Sequence, residues 1–394
     1  MKGKIIKVSA PGKIILHGEH SVLYGKHALA VSLGLRTTAI IQELSKSADP
    51  KIHIEFPNVD LCDALNLKPI VDNLFTTTSS GGISWDEPTA IDHDKYLKSI
   101  EETLHKIRPG FDDLQNFQKN SLRGFLYAFG GIFGSSGLTI EDFSIKMTSE
   151  LTVGAGTGSS ASFATCLCGA MVKLVKLKSS GRIEEFSEKE KKIISAWAYN
   201  CEKITHGSPS GIDNTTSTFG SLVSFKKGEE PLLLPSPEIR VLLIDSRVPR
   251  ETSRLLAVVA ARRGRNTAAI DHVMAAIDEV SITAAELLKK LSATNIEGEI
   301  EAIYQHLHEL WDMNHCLLAT LGVSHPVLED IRSAAISHGL ACKLTGAGGG
   351  GNAIVLIPPS TKETTVEVLK SQLLNSGYRV TDTMVGGTGV EIHK

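Results

Sequence analysis

Along its first 60 residues the chain alternates short apolar, β-branched runs with polar breaks, the pattern of half-buried strands. Residues 4–9 and 13–16 read as strands on either side of a turn at Pro11 and Gly12, and residues 36–43 and 51–56 read as two more. The period then lengthens. Residues 94–107 and 114–133 carry apolar side chains at helical spacing, a strand follows at 143–149, and helices follow at 160–176 and 188–205. The segment His206-Gly207-Ser208-Pro209-Ser210-Gly211-Ile212-Asp213 is too rich in glycine, proline and serine to prolong a helix. It reads as a rigid loop leading to a strand at 221–225.

Residues 226–237, with several charges and three prolines, form the best boundary and divide the chain into units of 1–230 and 231–394. Beyond it a strand at 240–245 precedes a long helical region at 250–291. Ile303, Leu307, Leu310, Trp311, Leu317, Leu318 and Leu321 then recur at helical spacing, as a core stripe. The rest reads strand, glycine loop, strand, helix (362–375), strand, strand. Strands backed by helices in that order indicate an α+β layer.

With 394 residues, 42% of them hydrophobic and 22% charged, the chain has apolar mass for two cores. A net charge of −3 without a long basic block argues against nucleic-acid binding. No apolar run is expected to reach the ~20 residues that cross a membrane. Residues 1–4 lead straight into strand-like sequence rather than a signal peptide, so a soluble, cytoplasmic protein is expected. The six cysteines lack C-x-x-C spacing and indicate buried thiols in a reducing compartment, not a zinc site or a disulfide framework. Cys166 and Cys168, two apart on a helix, point to different faces. His17 and His20 lack the second ligand pair that a metal site needs.

The run Leu151-Thr152-Val153-Gly154-Ala155-Gly156-Thr157-Gly158-Ser159-Ser160-Ala161 carries the strongest chemical signal. Alternate glycines let successive N–H groups approach an anion, and the helix behind them adds free N–H groups and the positive end of its dipole. The ligand expected is a polyphosphate. The loop has no lysine and no G-x-x-x-x-G-K-[ST] pattern, and the chain has no protein-kinase signature set. A second cluster, Thr345 to Gly351, formally contains G-x-G-x-x-G. A strand-like run, not a helix, follows it, which rules against a dinucleotide site.

Phosphoryl transfer needs hard oxygen ligands for a metal, a cation, and a carboxylate at the acceptor hydroxyl. Ser160 can supply a metal-binding hydroxyl or, like Ser159, a helix N-cap. Glu202 lies in the last turn of its helix, where a carboxylate opposes the dipole; that fits a metal ligand or a solvated surface acid. Asp213 follows the rigid loop, and Lys13 starts a strand; each has an ordinary structural explanation when taken alone.

Taken together, Pro11-Gly12-Lys13-Ile14-Ile15-Leu16-His17-Gly18-Glu19-His20, the loop at 154–161, His206 to Asn214, and Lys343 to Gly351 resemble the motifs of the GHMP kinases. Trp311-Asp312-Met313-Asn314 and Leu321-Gly322-Val323 add to the likeness, which spans essentially the whole chain. The resemblance implies a two-domain α+β fold with an N-terminal ribosomal-S5-like domain, a C-terminal ferredoxin-like domain and an active site between them. The implied reaction is ATP- and Mg²⁺-dependent phosphorylation of the 5-hydroxyl of mevalonate by a cytoplasmic homodimer. Asp213 would be the catalytic carboxylate, Lys13 would touch it and the γ-phosphate, and Ser160 and Glu202 would hold Mg²⁺. Gly154, Ala155, Gly156, Thr157, Gly158, Ser159 and Ser160, with Asn58 and Ser149, would bind the nucleotide, and His20 and Thr252 would lie near mevalonate. Glu19 would brace the hairpin. The family usually has proline near Thr152 and leucine at Thr157, departures that imply altered loop stiffness. Phosphomevalonate as acceptor and a catalytically silent metabolite-binding regulator remain as alternatives.

Overall fold

A computed structural model describes residues 5–76 and 83–393. Residues 1–4, on which the reading of the N-terminal end rests, lie outside it. Twelve strands among the described residues form one sheet: β1 (Ile5–His17), β2 (His27–Glu43), β3 (Lys51–Phe56), β4 (Leu61–Asn66), β5 (Phe143–Ser149), β6 (Leu222–Lys226), β7 (Leu232–Leu234), β8 (Ile239–Asp245), β9 (Cys342–Thr345), β10 (Asn352–Leu356), β11 (Arg379–Val385) and β12 (Glu391–His393). Its backbone order is β4-β3-β5-β2-β11-β8-β10-β9, antiparallel except for β3 with β5. The long strand β2 is the hub, pairing with β1 along one edge and with β5 and β6 elsewhere.

Pro11 and Gly12 do not make the expected turn. They lie inside β1, at a register shift against β2, and an irregular position is where a strand tolerates proline. The segment 226–237 contains β7, which pairs with β6. The sheet runs on past that segment: Val385 of β11 faces Leu33 of β2, and β12 returns to pair with β1.

The main helices are α1 (His93–Ile107), α2 (Asn116–Ala128), α3 (Ser159–Ser180), α4 (Glu188–His206), α5 (Ile212–Phe219), α6 (Thr252–Arg265), α7 (Thr267–Leu291), α8 (Glu297–Leu321), α9 (Pro326–Ser337) and α10 (Glu363–Asn375). The helical region expected at 250–291 breaks at Asn266, whose φ of −138° leaves the helical range. The start of α4 is set by a capping box between Ser187 and Glu190. The helix α3 corrects one expectation, being long and apolar enough to cross a membrane, with a mean hydropathy of 1.4. That window is 83% buried inside the protein, as a core helix is.

Among the described residues, three large apolar clusters stand where two cores are expected. One packs Phe125, Leu167 and Trp197 of α2, α3 and α4 on Ile54 and Ile145 of the sheet. Along β8, Val241 and Leu243 join the second cluster, against α7 and α8, while Leu242 and Ile244 join the third, against α9 and α10. A strand covered on both faces alternates between cores instead of between core and water. Cys166, Cys168, Cys201 and Cys342 are buried as expected, whereas Cys62 and Cys316 are exposed.

Candidate active site

The chain leaves β5 at Ser149, runs through the glycine loop and enters α3 at Ser159. Gly154, Gly156 and Gly158 have φ of 77°, 77° and 72°, the left-handed region that glycine enters without strain. A Cβ at Gly156 would fall on the Arg250 guanidinium, the end of a flexible side chain that would have to move, so the positive φ is what calls for glycine there. Gly158 itself caps α3 without any side-chain bond; neither Ser159 nor Ser160 is the N-cap. The first N–H groups of α3 therefore face outward as an anion site, with both serines in the first turn.

This loop forms one wall of a cleft of about 410 Å³. Lys13, Asn58, Ser149, Gly154, Gly156, Gly158, Ser159, Ser160, Glu202 and Asp213 all line it. Lys13, held inside β1 and 9% exposed, points its ammonium at Asp213, with Nζ 3.0 Å from Oδ1. Asp213 stands in the first turn of α5, where the dipole favours a carboxylate, so the rigid loop is shorter than expected. Glu202 is 2% exposed, which removes the reading as a solvated surface acid. Burial and the neighbouring Asp213 push its carboxyl up to about 8, with Lys13 pulling the other way.

Asn58 sits in the turn after β3 and grips Ser149 from both sides: its Nδ2 donates to the Ser149 carbonyl and its Oδ1 accepts from the Ser149 N–H, each at 2.8 Å. Both polar ends of Asn58 are thus occupied in holding the strand that feeds the loop. Ala155 and Thr157 turn away from the cleft into a smaller cavity beneath the loop, where the Thr157 hydroxyl is buried without a partner. His20 and Thr252 do not line the cleft either. His20 is buried with Nε2 2.8 Å from the Ala347 carbonyl oxygen, and Thr252 is exposed at the start of α6. Burial lowers the His20 pKa, against the opposing effects of that bond and of Glu19.

Glu19 braces more than a hairpin. Its carboxylate accepts from Lys343 of β9 and, at 3.0 Å, from Asn314 of α8, tying the end of β1 to the C-terminal half. Arg250 is a cleft residue that sequence reasoning missed. It lines the cleft and packs against Gly156, Gly346 and Gly351, so it bridges both glycine loops. No motif or local pattern marks it. Part of the cleft wall is apolar, with Phe56, Phe117 and Phe163 among the lining residues along with Asn120 and Ser121. Those side chains also went unremarked, because phenylalanines at strand and helix spacing read as core.

An anion-binding loop, a lysine–aspartate pair and a buried glutamate around one cleft are the parts of a small-molecule kinase. The family model for the GHMP kinases N terminal domain matches residues 120–221, and the model for GHMP kinases C terminal matches residues 284–378. Mevalonate kinase of Mus musculus is 33% identical over 398 residues, covering 100% of this chain and 96% of that protein. The Homo sapiens enzyme is 33% identical over 400 residues, with the same coverage. The chain belongs to the mevalonate kinase family. The L. major mevalonate kinase, solved in complex with R-mevalonate, shares its fold at a TM-score of 0.67 and 17% identity, covering 97% of this chain and 96% of that one. The two-domain α+β architecture of this kinase family accounts for a cleft built mainly from the first 230 residues and closed by Arg250.

The raised Glu202 carboxyl makes the stability of this family member pH-dependent. Between the ordinary value of 4.5 and about 8 the folded chain holds a proton that the unfolded chain releases. Stability of the nucleotide-free protein is therefore expected to fall as pH rises through that window and to level off above it. Thermal midpoints measured across the window should fall more steeply for the wild type than for Glu202→Gln. Equal slopes would mean that Glu202 titrates normally.

Proposed function

We propose that this kinase transfers the γ-phosphoryl group of ATP to the 5-hydroxyl of mevalonate, giving 5-phosphomevalonate and ADP for isoprenoid precursor synthesis. The observation that carries the residue assignment is the 3.0 Å contact of Lys13 with Asp213 in the cleft that Ser160 and Glu202 also line. The polyphosphate lies on the N–H groups of the loop and of the first turn of α3. The base lies toward the apolar part of the wall with Phe56, Phe117 and Phe163. Lys13 and Arg250 offset charge on the transferring group, and Asp213 orients the acceptor hydroxyl and takes its proton as the bond to phosphorus forms. In this reading Asn58 and Ser149 shape the nucleotide site through the bonds they exchange, and Ala155 and Thr157 act indirectly, their carbonyls held from behind so that the N–H groups of Gly156 and Gly158 can meet the phosphates. His20 and Thr252 lie on the acceptor side, toward the second glycine loop.

The donor set fits Mg²⁺. Ser160 offers a hydroxyl and Glu202 a carboxylate, both hard oxygens, and Lys13 alone does not offset the burial and the Asp213 charge that raise the Glu202 carboxyl, so a further cation there would favour its ionised form. No group of three or more metal-binding side chains gathers among the described residues, so phosphate oxygens and water complete such a site. Ser160 and Glu202 would hold the ion, which would supply positive charge to offset that of the phosphate groups. The reading divides the chain into a nucleotide-holding unit, 1–230, and a C-terminal unit, 231–394. It also includes a cytoplasmic homodimer that engages neither nucleic acid nor membrane, supported on the last two points by the net charge of −3 and the burial of α3.

A coupled assay of ADP release tests the reading. Mevalonate is expected to support turnover while phosphomevalonate and galactose do not, and chelation of Mg²⁺ is expected to abolish the activity until the ion is restored in excess. Turnover of phosphomevalonate instead would move the chain to a neighbouring activity, and no turnover of any acceptor would favour a binding protein.

A further inference from the structure

The phosphate loop presents N–H groups to the cleft only if the carbonyl before each of them points the other way. In a planar trans peptide the C=O of one residue and the N–H of the next are opposed, so whatever captures the carbonyl aims the N–H. Besides the bonds that the Thr152 and Gly158 carbonyls accept from Ala155 and Ser162 nearby, two such captures come from distant segments. The Lys13 N–H donates to the Thr157 carbonyl at 2.9 Å, which turns the Gly158 N–H toward the cleft. The Asn352 side-chain amide donates to the Ala155 carbonyl at 2.7 Å, which turns the Gly156 N–H the same way. Gly156 and Gly158 line the cleft, while Ala155 and Thr157 face the small cavity beneath, as this alternation requires.

Asn352 is well placed to hold that peptide. It is 3% exposed and opens β10, in register with Asp245 of β8 on one side and Thr345 of β9 on the other. Its backbone is thereby locked from both sides while its side chain reaches the loop. Glycines flank Ala155, so the loop has little stiffness of its own, and without an external donor the 155–156 peptide is free to rotate. Rotation would turn a carbonyl dipole toward the phosphates and remove a donor from them. A second tether from the same sheet, Arg379 Nη1 donating to the Thr152 hydroxyl at 3.1 Å, holds the loop where it leaves β5.

We infer that Asn352 is a positioning residue for nucleotide binding: an amide on the C-terminal strands that orients the Gly156 N–H toward the phosphates of ATP. This inference rests on the reading of the loop as the ATP site. It assigns to the C-terminal half a share of the affinity for a nucleotide that this half barely touches.

Asn352→Leu keeps a similar volume without the donor, and Asn352→Ala serves as a second variant that leaves the strand in place. Each is expected to raise KM for ATP by about tenfold, as loss of a hydrogen bond to a charged group does, while kcat and KM for mevalonate stay within about twofold. An unchanged KM for ATP in either folded variant would overturn the inference. So would a parallel loss of kcat and of affinity for both substrates with a lowered melting temperature, the outcome of a merely structural role. Ser160→Ala, assayed alongside, separates the two readings. If it leaves ATP turnover intact, the loop itself is misassigned; if it impairs turnover while the Asn352 variants behave as wild type, only the role of Asn352 fails.

Discussion

Replacing Asp213 with asparagine is expected to lower kcat by about 10²–10⁴-fold, the usual contribution of a positioned proton acceptor. The substitution keeps the shape of the side chain and removes its charge. Two functions go with the charge: acceptance of the hydroxyl proton, and the pull that holds the Lys13 ammonium 3.0 Å away in the cleft. The neighbouring Glu202 should respond as well, because Asp213 is one of the groups that raise its carboxyl. A lowered Glu202 pKa in the variant, with the fold intact by circular dichroism and melting, would show that the two acids share one electrostatic site. Steady-state assays with saturating ATP and mevalonate give the decisive reading. A loss smaller than tenfold would mean that Asp213 is not the acceptor-side carboxylate.

The second large effect concerns stability. Glu19→Leu is expected to destabilise the fold by about 3–5 kcal/mol, because it leaves the Lys343 ammonium in the interior without its partner. Lys343 is 0% exposed and Glu19 3%, and burial already lowers the lysine pKa against the opposing effect of Glu19. An unpaired charge at that depth must shed its proton, draw water in or force the elements apart. Glu19→Leu combined with Lys343→Met removes both charges at similar volume and is expected to recover most of the loss. Denaturant unfolding of the wild type, the single variant and the pair measures this coupling directly. If the single variant loses less than about 1 kcal/mol, the pair contributes no more than a surface ion pair does.

Local order was readable to a useful depth. The strand β5 occurs at the bounds expected for it, and α4 extends one residue beyond its expected end, because apolar period and helix-start chemistry act over neighbouring residues. The phosphate loop was readable for a different reason. Its glycines are required by backbone conformation, and that requirement is met in the letters themselves. Reading failed where a distant partner overruled a local preference. Pro11-Gly12 carries a turn signal, yet the pairing of β1 with β2 over most of its length absorbs it as a strand irregularity. The apolar stretch of α3 is long enough for a membrane, and only the layers packed around it make it a core helix.

The candidate site divides in the same way. The glycine loop by itself points to a phosphate, whereas Lys13, Glu202 and Asp213 each have an ordinary structural reading alone, and the roles of these three and of Ser160 come from the resemblance to the GHMP kinases. Their meeting in one cleft, the depth of Glu202 and the upward push on its carboxyl arise from packing β1, α3, α4 and α5 together. Arg250 and Asn352 have no motif at all: one matters because two glycine loops lie against it, the other because a carbonyl 197 residues away comes within 2.7 Å. Backbone propensity is a property of neighbouring residues, whereas burial, charge coupling and hydrogen-bond reach depend on distances that exist only once remote segments have been brought into contact.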